Sequence, residues 1–229
     1  MNIFKSIILA SALTAATFSA SSCYFRISDE AKKEMKSALE LRLESSKQVY
    51  SETDSVVFRP GPFTSVSSIG GMDVDFILSD CEPTVSLFGT HITRDSVKVY
   101  VNDGRLIIDN SSPIMYDEHV RIYAPAVKEV ASSGSGYFNG TLSGESVHVS
   151  NLGSGDINLH LVDVGNLDLS SSGSGDVMLT GKATEAVITM LGSGDLDALG
   201  FDATKISVSS HGSGDLNYKK DGKVIHKND

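Results

Sequence analysis

The sequence has no tryptophan, few aromatic residues (7%) and few basic ones. Nineteen Lys and Arg stand against 29 Asp and Glu, which gives a net charge of −10. Binding of nucleic acid needs a basic footprint, so nucleic acid is not expected as a partner. What the chain does have is 21 glycines among 229 residues, together with abundant serine. That composition fits many tight turns between short strands.

Cysteine is also scarce, since the chain holds only Cys23 and Cys81. If Cys23 is acylated, as its context below indicates, no disulfide can form within the chain. Packing must then stabilise the fold. Cys81 is accordingly expected to be a small buried hydrophobe and not a nucleophile.

Residues 1–22 have the form of an export signal. Lys5 supplies a positive charge, and residues 7–18 are an apolar stretch too short to span a bilayer stably. The run that ends at Cys23 (Ala-Ser-Ser-Cys) resembles a bacterial lipobox, although Ala20 replaces the usual Leu. The resemblance implies a signal cleaved before Cys23 and a lipid anchor, palmitate included, in the outer membrane. An ordinary signal peptide cut near Ala20 is the alternative.

Residues 23–45 differ from the rest of the chain. They mix charges with good helix formers, and Ser28 or Asp29 could cap a helix that runs towards Leu43. Their apolar residues form no clean stripe. We expect a lipid-anchored, partly helical tether here, followed by one β domain over residues 46–229.

Several strands are predicted before the repeats begin. Residues 55–58 and 72–78 are strand candidates, and so are residues 120–123. Two further strands flank Asn102-Asp103-Gly104 in a hairpin pattern.

A Gly-Ser-Gly triplet then recurs five times, at spacings of 19 or 20 residues. A fixed period of this length is typical of a solenoid. On each side of the triplet, apolar residues stand two apart, which is the period of a strand with one buried face. One such column, four residues after each first glycine, is Phe138, Ile157, Val177, Leu196 and Leu216.

The periodicity predicts an all-β fold, a right-handed parallel β-helix with coils of about 20 residues. Each corner needs positive φ or close backbone approach, which glycine tolerates. The predicted corner glycines are Gly134, Gly136, Gly153, Gly155, Gly173, Gly175, Gly192, Gly194, Gly212 and Gly214.

These segments resemble the head, or GIN, domain family of putative auto-transporter adhesins common in Bacteroidetes. The similarity lies in residues 68–74, 101–108 and 120–127 and in the Gly-Ser-Gly-Asp copies, and it covers roughly residues 55–229. The first copy departs from the pattern, because Tyr137 replaces Asp. The resemblance implies a β-helix at the cell envelope and brings no catalytic residues.

An acidic column is the most pointed candidate site. Asp156, Asp176, Asp195 and Asp215 occupy one repeat position, where stacked carboxylates about 5 Å apart would repel one another. One interpretation is a calcium site, since Ca²⁺ takes several oxygen ligands. The other is that each carboxylate caps a corner by accepting hydrogen bonds. The six histidines show no metal-ligand spacing, so no metal site and no cofactor are predicted.

Three functions are compatible with this pattern. A polysaccharide-active enzyme of the pectin-lyase kind needs paired carboxylates and a nearby cation, yet no Arg follows Arg121. A purely structural envelope module would need no ligand. We predict a non-catalytic surface protein that binds an unknown protein or glycan, and a charged C-terminal segment (residues 219–229) that caps the last coil and blocks end-to-end polymerisation.

Overall fold

The computed structural model describes residues 55–89, 97–110 and 119–227, and all regular structure in these ranges is β. The strands are β1 (Ser55–Phe58), β2 (Ser65–Gly70), β3 (Asp73–Leu78), β4 (Thr84–Phe88), β5 (Lys98–Asn102), β6 (Arg105–Asn110), β7 (His119–Ala124), β8 (Glu129–Gly134), β9 (Phe138–Leu142), β10 (Ser146–Gly153), β11 (Ile157–Gly173), β12 (Val177–Gly192), β13 (Leu196–Gly212), β14 (Leu216–Lys220) and β15 (Lys223–Lys227). Within these ranges no helix is long and apolar enough to cross a membrane.

The predicted solenoid is confirmed, with stacked parallel coils of about 20 residues. Each coil has two faces. The leading face consists of the strands that run into a Gly-Ser-Gly corner, and the trailing face consists of the strands that leave it. The long strands β11, β12 and β13 turn between the faces, so their first halves lie on the trailing face and their second halves on the leading face.

The register of the ladders follows the repeat. Gly153 of β10 pairs with Gly173 of β11, which pairs with Gly192 of β12. Inward positions therefore coincide from coil to coil. The column Phe138, Ile157, Val177, Leu196 and Leu216 is buried along its whole length, with exposures of 2% or less. The core is this set of stacked aliphatic columns, sealed between the two faces.

The corners show why glycine recurs. The first glycine of the triplet, such as Gly173, has a φ of +145°, a backbone region that L residues rarely adopt. A Cβ atom there would overlap the carbonyl oxygen of Gly153 in the preceding coil. Gly175 has no positive φ, yet its Cβ would overlap the carbonyl oxygen of Gly155. Close stacking of backbones thus requires both glycines.

The early strands form as predicted, but their order in the stack differs from their order in the chain. Strand β2 lies between β6 and β8, and β3 lies between β7 and β9. Residues 65–78 are therefore stacked between two layers whose strands follow them in the chain. The predicted hairpin is present, since β5 and β6 pair antiparallel around Asp103 and Gly104, both of positive φ.

The two ends of the solenoid are closed differently. At the first end, β4 and β1 extend the trailing face by antiparallel pairing, while β5 extends the leading face. At the last end, β14 and β15 form a hairpin on the trailing face. The charged C-terminal segment thus covers one of the two faces of the last coil.

One expectation is wrong. Cys81 is half-buried, and so it is not the fully buried hydrophobe that the sequence predicts. The export signal, Cys23 and the tether lie outside the described residues.

Candidate functional site

The acidic column stands on the outer side of the trailing face, and its geometry explains how the carboxylates coexist. The backbone N–H of Asp176 donates to Oδ1 of Asp156 at 2.9 Å. The same bond recurs from Asp195 to Asp176 (2.9 Å) and from Asp215 to Asp195 (2.8 Å). The first three carboxylates are thereby each held by the coil that follows, and charge-assisted bonds of this kind offset the repulsion. We call these four residues the Asp ladder.

A second polar column runs beside the ladder, five residues after each first glycine. It contains amides and one further acid: Asn139, Asn158, Asp197 and Asn217, with Met178 between them. The amide of Asn158 donates to Oδ1 of Asn139 at 3.0 Å. Its amides therefore add hydrogen-bond donors beside the acceptors of the ladder.

Together the two columns line a shallow groove of about 380 Å³ that crosses several coils. It is lined by the polar residues Asp156, Asp176, Asp195, Asp197, Asn158 and Asn217, and by Met178. The side chains lie on consecutive parallel strands, so the same groups recur at about 4.8 Å. The groove is thus a linear array of hydrogen-bond acceptors and donors.

Tyr137 occupies the ladder position in the first Gly-Ser-Gly coil and is 48% exposed. Its backbone N–H donates to Oδ1 of Asp73 at 3.0 Å, so Asp73 plays for this coil the part that the Asp ladder plays further on. Sequence reasoning missed Asp73, although it stands three residues after Gly70, as each ladder residue does after its glycine. The sequence also predicted no aromatic residue beside the Asp ladder, whereas Tyr137 stands in line with it.

A charged cluster adjoins this end of the column and was also missed. The Asp75 carboxylate is buried and lies 3.0 Å from Nε2 of His119 and 4.0 Å from Nε of Arg121. Asn139 donates to its other oxygen at 3.2 Å. The Arg121 guanidinium stacks 4.8 Å from the centre of the Phe88 ring. These contacts join β3, β7 and β9, so the cluster ties the early strands to the repeats.

Burial raises the pKa of Asp73, and the nearby Asp75 charge adds to the rise, while the Tyr137 N–H and His119 act in the opposite sense. Because the folded state holds this proton more tightly than the unfolded chain, ionisation of Asp73 lowers stability as the pH rises above 3.8, the ordinary value. Asp73→Asn should therefore be more stable than the wild type at pH 7, with the difference shrinking towards pH 4.

Urea unfolding at several pH values measures this effect. Asp156→Asn is the matched control, because it changes the same kind of ladder hydrogen bond within the repeats. A stabilisation of Asp73→Asn that does not vary with pH would contradict the account.

The described residues contain no group of three or more His, Cys, Asp or Glu side chains that could hold a metal ion. One histidine contacts the groove, since Nδ1 of His226 shares a hydrogen bond with Oδ1 of Asn217. His148 lies 3.4 Å from Asp168 on the exposed leading face, and His160 shares a hydrogen bond of 3.0 Å with Thr180. The geometry of the ladder is that of corner capping.

The fold and the groove together define a class: a β-solenoid with a polar, repetitive outer surface. The chain belongs to the family described as "Putative auto-transporter adhesin, head GIN domain", whose model matches residues 62–225. There is no match among curated proteins.

Solved structures of similar fold carry related names. A putative adhesin from Bacteroides fragilis is 20% identical, with a TM-score of 0.62 over 71% of this chain and 78% of its own. A putative adhesin from Parabacteroides distasonis is 19% identical, with a TM-score of 0.55 over 70% and 79%. One from Parabacteroides merdae is 19% identical, with a TM-score of 0.52 over 71% and 79%. At these identities the likeness establishes the fold.

Proposed function

We propose that the protein is a non-catalytic adhesion module of the cell envelope that binds a linear glycan along the trailing face. The observation that carries the proposal is the groove, in which carboxylates and amides recur from coil to coil. Carboxylates accept hydrogen bonds from hydroxyl groups, and amides both donate and accept them. The exposed ring of Tyr137 stands in line with the ladder and offers an apolar surface for a sugar ring.

An enzyme is less well supported by the same geometry. Glycoside hydrolysis needs a carboxylic acid and a second carboxylate facing one substrate. The carboxylates of Asp156, Asp176 and Asp195 each accept a hydrogen bond from a backbone N–H of the next coil. The Asp197 carboxylate accepts one from the N–H of Leu199. Asp75, in the charged cluster, is 7% exposed and is surrounded by its own partners. Neither arrangement leaves an acid and a base free to act on one bond.

Binding is tested with glycan and host-protein arrays, probed with the purified protein in calcium and in chelator. Replacing the four ladder residues with Asn keeps each Oδ1 acceptor but removes the charge. We expect this variant to bind the glycan roughly tenfold or more weakly, because charge-assisted hydrogen bonds are lost. Tyr137→Ala should weaken binding as well.

The control is the triple variant Ser150→Ala, Ser170→Ala and Ser209→Ala on the leading face, which should bind normally. Equal binding by the Asn variant and the wild type would contradict the groove as the contact surface. Binding to host proteins and to no glycan would show that the ligand is a protein, and would contradict the glycan proposal. Binding abolished by chelator would indicate a cation in the ladder.

The envelope attachment that we propose is a lipid on Cys23, in the outer membrane. The chain has two cysteines, so an acylated Cys23 leaves none to form a disulfide with Cys81 in the same chain. Mass spectrometry of the protein isolated from membranes distinguishes the two. A diacylglyceryl thioether on Cys23 supports the anchor, and a disulfide-linked peptide that includes Cys23 overturns it.

A further inference from the structure

The last end of the solenoid is uneven. On the trailing face, β14 pairs with β13 and β15 then adds one more layer. On the leading face, the stack ends at residues 205–212, the second half of β13. Among the described residues no strand pairs with the outer side of this segment, which we call the open edge. The layer that contains β15 therefore lacks its leading-face strand.

The missing strand leaves the core uncovered at this point. In the preceding coil the inward residues Ala186 and Ile188 are 2% and 0% exposed. Their counterparts in the open edge, Ile206 and Val208, are only partly buried. Tyr218 on the opposite face is partly buried too. A half-covered apolar recess thus lies between the open edge and β15.

The backbone of the open edge also points into this recess. His148 N–H donates to the Lys128 carbonyl of the preceding coil at 2.8 Å, and Ser207 stands in the same register in the last coil. Ladder bonds alternate in direction along a parallel strand. The N–H and C=O groups of Ile206, Val208 and Ser210 therefore face the recess, where they can pair with an added strand.

The recess has the width of one strand, and this argues against a second copy stacked end to end. Strand β15 projects one layer beyond the open edge, and at the first end β1 projects beyond β5 on the same trailing face. Two copies stacked head to tail, with the last end of one on the first end of the other, would collide there before their leading faces could pair. A single extended segment meets no such obstacle.

Charge indicates what the segment carries. Ile225 of β15 pairs with the inward Tyr218, so Lys223 and Lys227, two residues to either side, share its inward direction. Both lysines are exposed and lie across the recess from the open edge. A strand with carboxylates on either side of apolar residues would match them.

We propose that the recess takes up one extended, acidic segment of a partner polypeptide, which adds as a strand to residues 205–212 and completes the last layer. The site is separate from the groove, so either can fail while the other stands. The proposal does not depend on whether the groove binds a glycan.

The probe is the fluorescein-labelled peptide Glu-Thr-Val-Thr-Val-Thr-Glu, titrated against the purified full chain by fluorescence anisotropy. Its inward side presents Glu, Val, Val and Glu. We expect saturable binding with a dissociation constant below about 1 mM. The same peptide with Lys for Glu, or with Pro for the central Thr, should bind at least about tenfold more weakly, since the first repels the lysines and the second cannot pair.

Two protein variants complete the test. Val208→Pro removes an N–H that faces the recess and leaves the ladder to β12 intact, so it should weaken binding at least about tenfold. Val208→Thr keeps that N–H and should bind within about twofold. Lys223→Glu should weaken binding of the acidic peptide about fivefold or more and strengthen binding of the lysine peptide. This variant keeps the proposal testable if Val208→Pro fails to fold.

Failure of the acidic peptide to bind the wild type would overturn the proposal. So would equal affinity of the acidic peptide for Val208→Pro and for the wild type. An unchanged preference for the acidic over the lysine peptide in Lys223→Glu would overturn it too. Analytical ultracentrifugation tests the alternative that a second copy of the chain fills the recess. Self-association of the wild type that Val208→Pro abolishes would show that a second copy fills the recess, and would overturn it as well.

Discussion

Gly173→Ala is expected to lower the free energy of unfolding by at least about 3 kcal/mol, or to prevent folding. Two costs add at this residue. Its φ of +145° is unfavourable for any residue with a Cβ atom. The Cβ would also overlap the carbonyl oxygen of Gly153 in the preceding coil, and neither backbone can retreat without breaking a ladder.

Two other glycines separate these costs. Gly144 has a φ of +141° with nothing within 4 Å of its Cβ position, so Gly144→Ala should show the backbone strain alone, about 1–2 kcal/mol. Gly61 has neither the strain nor a neighbour within 4 Å, so Gly61→Ala should change stability by less than about 0.5 kcal/mol. Urea unfolding of the three variants gives the ranking. A Gly173→Ala protein as stable as Gly61→Ala would show that coils do not approach at the corner.

Leu179→Ala is expected to cost about 2–5 kcal/mol, because Leu179 is fully buried in an inward column of β12 and its truncation leaves a cavity. The adjacent Met178 faces outward into the groove and is 37% exposed. Met178→Ala should cost less than about 1 kcal/mol. Denaturant midpoints of the two variants test whether neighbouring residues of β12 face opposite sides of the strand. Equal losses of stability would contradict that alternation.

The repeats could be predicted from the sequence because their information is local. A Gly-Ser-Gly triplet and apolar residues at fixed distances from it specify the corner, the inward columns and the register at once. The same regularity located the Asp ladder, since a residue at a constant position in every coil must lie in one line. What the pattern left open was how the carboxylates are held, because backbone N–H donors are invisible in a sequence.

The order of the early strands could not be predicted in this way. Strands β2 and β3 are inserted between layers that the chain forms later, and no local signal records that pairing. A partial signal did exist, since Gly70 stands in register with Gly134. The charged cluster was hidden for the same reason, because Asp75 and His119 meet only through the pairing of β3 with β7.

Deletion of one whole coil tests the stacking most directly. Removal of residues 174–192 joins Gly173 to Ser193 and restores the corner sequence, so the columns close up by one layer. We expect this protein to keep a β-type circular dichroism spectrum and a cooperative thermal transition, at reduced stability. Removal of residues 174–183, half a coil, should abolish the transition. If both deletions unfold the protein equally, the coils are not interchangeable layers and the account is wrong.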